Sequence, residues 1–274
     1  MEYYLKDYEN SFFKFSLIRK RMRKFLFASL LFSAIFLTSC DVLTGVLNDY
    51  GSTSGTGLSN TEITQGLKEA LKEGARFASN SASQTDGFLD NPVVDIRILL
   101  PPELRKVESN IRKVPILGDK IVDDLVTAMN RGAERAAKEA GPIFINAITS
   151  MTIKDAVNIL RGEEDAATQY LRRTTYPQLE QKFEPAIDDA LSDVGATRIY
   201  DNLKNGIERY NDTPLVNDLD VNLRELPSLE AYATDMALDG LFRLVAIEEK
   251  KIRANPYAYG QRIIQRVFGS LKES

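Results

Sequence analysis

Cys40 is the only cysteine in the chain, and its surroundings give it a specific chemistry. It closes the string Leu37-Thr38-Ser39-Cys40, behind an uncharged run from Phe25 to Phe36 and a basic cluster of Arg19, Lys20, Arg21, Arg23 and Lys24. A positive region, a short apolar region and small residues before a cut site describe an export signal. A cysteine directly after Leu-Thr-Ser matches a lipobox, in which the thiol is acylated and the chain is cut before it. The apolar run is about 12 residues, short of the roughly 20 that a bilayer-spanning helix needs. The expectation is a signal peptide over residues 1–39 and lipidation at Cys40. Met22 would itself open a signal peptide of ordinary length, so residues 1–21 read as a mis-assigned upstream start.

A second constellation lies near the other end, in Met236 to Ile247. This stretch is apolar almost all round and should form the central helix of a bundle. Its only charges are Asp239 and Arg243, four residues apart and so on one helical face. Burying either alone would cost several kcal/mol. They should therefore pair with each other, with another group or with a ligand, or share a face that reaches water. As a ligand site they would form a polar foot in an apolar pocket, with Arg243 holding an anionic head group. Gly240 between them would admit a neighbouring helix or a ligand. The pair Glu249 and Arg253, just beyond, reads as ordinary surface pairing.

Much other chemistry is excluded by composition. The chain has no His and no Trp. That removes Ser-His-Asp and Cys-His nucleophile pairs, His/Cys zinc sites, the Glu-x-x-His di-iron site and His- or Cys-ligated haem. No cofactor and no metal site is expected. Asp218-x-Asp220-x-Asn222 imitates a calcium loop, but Leu223 stands where Gly is needed and Leu229 where Glu is needed. Glu163, Glu164 and Asp165 sit at a helix start, where acids favour the dipole. Asp188, Asp189 and Asp193 read as a solvated helical face.

The elements that must position these groups are almost all helical. Asp41 to Gly57 is small and polar, a tether of 17 residues. As a flexible coil it would hold a domain on the order of 20–25 Å from a bilayer. The domain, residues 58–274, opens at the capping box Ser59-x-x-Glu62, and Thr152-x-x-Asp155 repeats the device more weakly. Val94 to Leu100 alternates like a strand. Alone it cannot build a sheet, so it should be an extended connector packed on helices. Pro101-Pro102 starts a helix with Leu104, Val107, Ile111 and Val114, and Gly141-Pro142 separates two more. A helix from Asp165 and another opened by Pro177 follow, the second kinked at Pro185. Residues 211–226 are a polar loop, Ser228 begins the longest periodic segment, and a last helix runs from Gly260 to Phe268. The fold class is all-α, a bundle of about eight to ten helices.

Several ordered strings carry a resemblance. They are Leu100-Pro-Pro-Glu-Leu-Arg-Lys-Val, Gly141-Pro-Ile-Phe-Ile-Asn-Ala-Ile, Met151-Thr-Ile-Lys-Asp-Ala, Asp165-Ala-Ala-Thr and Ala237-Leu-Asp-Gly-Leu-Phe ahead of Glu248-Glu-Lys-Lys-Ile-Arg. Together they resemble the bacterial envelope family catalogued as domain of unknown function 4197, over roughly Leu58 to Phe268. The resemblance implies an exported or lipid-anchored helical domain and brings no catalytic residues with it.

Three functional readings follow. The first is a non-enzymatic envelope lipoprotein with a helical interaction module, held to a membrane by acyl chains on Cys40 and open to an envelope protein partner. The second is a carrier or sensor of a hydrophobic or anionic small ligand beside Asp239 and Arg243. The third is a hydrolase built from carboxylates alone. Nucleic acid is not an expected partner. Residues 1–39 hold seven Lys/Arg and three Asp/Glu, leaving 28 basic and 36 acidic side chains after cleavage. Phosphate backbones select basic surfaces.

Overall fold

The computed structural model describes residues 57–113, 118–211 and 227–271. Cys40, most of the tether, Val114 and the Asp218–Asn222 loop lie outside the described residues. The described ones belong to one compact unit, Ser52–Ser274.

Local signals set most of the helix ends. Helix α1 spans Asn60–Ala82 and α2 spans Pro102–Arg112. Both arms of the first capping box form: Glu62 N–H donates to Ser59 Oγ (3.2 Å) and Ser59 N–H to Glu62 Oε2 (3.0 Å). The Ser59 N–H and hydroxyl, both donating to the Glu62 carboxylate, hold it below its ordinary pKa. Helix α3 (Gly118–Ala136) passes through a 3-10 turn at Ala137–Glu139 into α4 (Ala140–Thr149), so the break precedes Gly141-Pro142, which lies in the first turn of α4. Helix α5 (Ile153–Leu160) opens on the expected Thr152–Asp155 box.

Helix α6 corrects the expected division at Pro177. It runs unbroken over Ala166–Asp193, with Pro177 and Pro185 both inside it. Each proline removes a hydrogen bond to the carbonyl four residues back. The loss is offset by packing, since Leu171, Thr175, Leu179, Phe183, Ile187 and Leu191 are all buried along one stripe. Helix α7 (Ala196–Asn211) follows a left-handed Gly195. Helix α8 (Leu229–Ala254) is capped by Ser228 and packs against α1, α3 and α6. A short 3-10 turn, Pro256–Ala258, leads to α9 (Arg262–Gly269). The described residues contain no strand, and the all-α expectation holds.

Two close helix crossings depend on glycine. A β-carbon on Gly132 of α3 would lie 2.7 Å from Ile187 Cα on α6, and one on Gly66 of α1 would lie 2.5 Å from Val267 on α9.

The strand-like passage is, as expected, an extended connector laid on helices. Ile96, Ile98 and Leu100 turn inward while Asp95, Arg97 and Leu99 face out. Its polar backbone needs partners, and α3 supplies them. The fully buried Asn130 accepts from Ile98 N–H (2.9 Å) and donates to Ile98 O (2.9 Å), standing in for a neighbouring strand. One turn on, Glu134 accepts from Phe88 N–H (3.1 Å) and Leu89 N–H (3.3 Å). Arg131 then ties Glu134 (2.7 Å) to Asp86 (2.8 Å), the residue that turns the chain with φ +65°. Replacing Asn130 with Leu keeps its branched shape, adds some volume and orphans two buried backbone groups. The expected cost is about 3 kcal/mol, read by chemical denaturation; a cost under about 0.5 kcal/mol would mean the amide is dispensable.

Candidate functional site

The Asp239–Arg243 face sits at the surface, on the side of α8 that meets α6. Asp239 is half exposed and pairs with Arg172 of α6, its Oδ1 2.6 Å from Nη2. The same guanidinium lies 4.9 Å from the centre of the Phe242 ring. Tyr176 stacks parallel to that ring, centroids 6.4 Å apart, and donates to Asp235 (2.8 Å). Burial and the bond to Asp235 push the Tyr176 hydroxyl well above its ordinary pKa. Arg243, one turn beyond Asp239, is exposed, and no ion pair joins the two. The space left by Gly240 is occupied by the connector: a β-carbon there would lie 3.0 Å from both Ile96 and Phe88. The expected close approach is therefore to this chain's own Phe88 and Ile96.

The chemistry of α8 is concentrated two turns later, where a surface pair was expected. Glu249 is buried and Arg253 mostly so, their side chains 7 % and 14 % exposed. The Glu249 carboxylate accepts from Ala167 N–H (3.0 Å), Thr168 N–H (2.8 Å) and the Thr168 hydroxyl (2.8 Å). It thus caps the start of α6, a role that Asp165 leaves open because its side chain makes no capping bond. Arg253 holds Glu249 through Nε (3.0 Å) and Nη2 (2.9 Å), and donates from Nη2 to Ile159 O (3.0 Å) at the end of α5. An acid at a helix start and a base at a helix end each match the helix dipole. One ion pair therefore joins the α5–α6 corner to the end of α8. The missed signal was phase: Val245, Glu249 and Ile252 share one helical face, and two of the three are apolar.

The neighbouring Glu248 is also buried and accepts from the Tyr259 hydroxyl (2.7 Å) and Lys251 (3.2 Å). Burial and that carboxylate raise the Tyr259 pKa well above its ordinary value. Glu163, Glu164, Asp165, Asp188, Asp189 and Asp193 are all exposed. Among the described residues, no group of three or more His, Cys, Asp or Glu side chains could hold a metal ion. Glu134 and Glu249, buried beneath the surface, spend their oxygens on backbone N–H groups and an arginine. That arrangement suits a structural anion.

The class of protein thus defined is an all-α bundle whose buried charges brace its own corners. The chain matches the family described as protein of unknown function (DUF4197) over residues 57–269, and it belongs to that family. Searches of curated proteins and of solved structures found no match.

Glu249→Ala should destabilise the fold by about 3–5 kcal/mol, the cost of leaving Arg253 and two helix-start N–H groups without their partner. Glu249→Gln, which keeps an acceptor, should cost less. Urea denaturation separates these values from the few tenths of a kcal/mol that an exposed pair at this spacing contributes.

Proposed function

We propose that the chain is a lipoprotein of the bacterial envelope, anchored through acylated Cys40, whose helical domain serves as a non-catalytic interaction module. The observation that carries this reading is the register of the basic cluster, the apolar run of Phe25–Phe36 and Leu37-Thr38-Ser39-Cys40. Two or more acyl chains anchor stably, each buried CH₂ contributing about 0.8 kcal/mol. The anchor therefore needs no help from net charge, which is acidic after cleavage. The domain supports a non-catalytic role through its buried acids, which are committed to partners within the domain: Glu134 and Glu249 to backbone N–H groups and arginines, Glu248 to the Tyr259 hydroxyl and Lys251. Among the described residues no single helix is long and apolar enough to span a bilayer.

The carrier alternative needs a cavity of a few hundred Å³. The apolar gap enclosed by Leu67, Leu71, Gly74, Val245, Ile252 and Phe268 measures about 10 Å³, room for roughly one water molecule. That gap is too small for a carried ligand, which favours the interaction module over a carrier that binds within the core.

The test is Cys40→Ala expressed in the native host with metabolic labelling by a fatty acid. The substitution should abolish the acyl label and move the protein from the membrane to the soluble fraction. Retained label and retained membrane association would overturn the anchor.

A further inference from the structure

An open concavity lies where the chain enters the domain. It holds about 530 Å³ and is lined by Gly57, Leu58, Tyr257, Arg262, Gln265 and Arg266, with Gly269 and Ser270 closing it. Most polar groups on this rim are already engaged. Arg266 Nη1 pairs with Glu62 Oε1 at 2.7 Å, Gln265 donates to Tyr259 O, and Ser270 donates to Val267 O. Arg262 differs. It is exposed and makes no hydrogen bond or ion pair among the described residues. Beside it Tyr257 is 60 % exposed, the most exposed large hydrophobic side chain described. Its ring packs over Gly269, where a β-carbon would come within 2.7 Å of the hydroxyl.

Position gives this cleft an occupant. Gly57 ends the 17-residue tether that begins at Asp41, so the cleft is the part of the domain tied closest to the anchor. A free guanidinium recognises a phosphate by paired N–H donors. An exposed tyrosine suits the membrane–water interface, where its ring meets the apolar boundary and its hydroxyl stays wet. The far end of the bundle offers a contrast. Val194 adjoins Thr197, which bonds Glu230 at the start of α8 (2.9 Å), whereas Tyr257 follows the end of α8. At 1.5 Å per residue, the 26 residues of α8 separate the two ends by about 39 Å.

We propose that this cleft is the face on which the domain rests on the bilayer, with Arg262 on the phosphate of an anionic phospholipid and Tyr257 at the interface. The proposal rests on the Cys40 anchor and adds an orientation to it: the α9 end faces the membrane and the Val194 end faces away.

The experiment uses the acylated chain purified from membranes and reconstituted into vesicles of phosphatidylethanolamine and phosphatidylglycerol. Because Cys40 carries the lipid, Tyr257→Cys introduces the only free thiol, which takes a fluorophore; Val194→Cys serves as the distal control. Ser270→Cys, on the same rim, guards against loss of the Tyr257 packing. Nitroxides fixed to lipid headgroups should quench the labels at 257 and 270 several-fold more than the label at 194. Adding Arg262→Gln should lower the docked-to-free ratio about five-fold, as expected for one cation at an anionic surface, while co-flotation with vesicles stays complete. Equal quenching at both ends of a chain that still floats would overturn the docking alone. A chain that does not float would overturn the anchor and the docking with it.

Discussion

The corner built by Glu249 and Arg253 is the interaction on which the arrangement of the longest helices depends. Helix α5 ends and α6 begins within a few residues, so carbonyls and N–H groups of two helix termini come together where α8 packs. Water cannot satisfy them there. A carboxylate bonded to Ala167 and Thr168, and a guanidinium bonded to Ile159, satisfy both termini and neutralise each other. The pair is held by four or more hydrogen bonds, which is the condition under which a buried ion pair is tolerated. It also specifies direction, because reversing α6 would bring carbonyls to the carboxylate.

The same economy governs the connector between α1 and α2. An extended segment in an all-helical protein has no sheet to join, and its backbone groups must still be paired. Asn130 supplies a donor and an acceptor in strand-like geometry, and Glu134 takes the N–H groups at the turn. Held this way, Phe88 and Ile96 fit against Gly240 of α8. Helix α8 thus meets α1, α3, α6 and the connector, and it reaches water through Asp235, Asp239 and Arg243 and through Lys250 and Lys251 near its end. A domain without disulfides, with one cysteine in the whole chain, fixes its layout through these few buried polar groups and close glycine crossings.

What the sequence made legible follows from range. The two capping boxes and the Pro101-Pro102 start are local patterns, and they matched the structure because the bonds involved span three or four residues. The alternation of residues 94–100 showed which side chains turn inward but not that Asn130, 32 positions away, would pair their backbone. The pairing of Asp239 with Arg172 crosses 67 positions and that of Glu249 with Thr168 crosses 81, and no spacing rule carries such information. An acid and a base four apart look the same on a wet face or a dry one; burial was decided by helices 80 residues away. Continuity of α6 through Pro177 was hidden for a related reason. The local cost of proline is fixed, while the offsetting stripe from Leu171 to Leu191 is a property of the assembled bundle.

Together these features describe a domain whose buried charge is spent on its own architecture and whose surface is left for contact. The central claim is that such a domain is delivered to a membrane by a lipid on Cys40. The most direct measurement is the intact mass of the chain extracted from its own membranes, with tandem sequencing of its N-terminus. The account predicts a chain beginning at residue 40 and carrying the added mass of a diacylglyceryl group on that cysteine. A chain that retains the Phe25–Phe36 segment, or one that begins at Cys40 with an unmodified thiol, would contradict it.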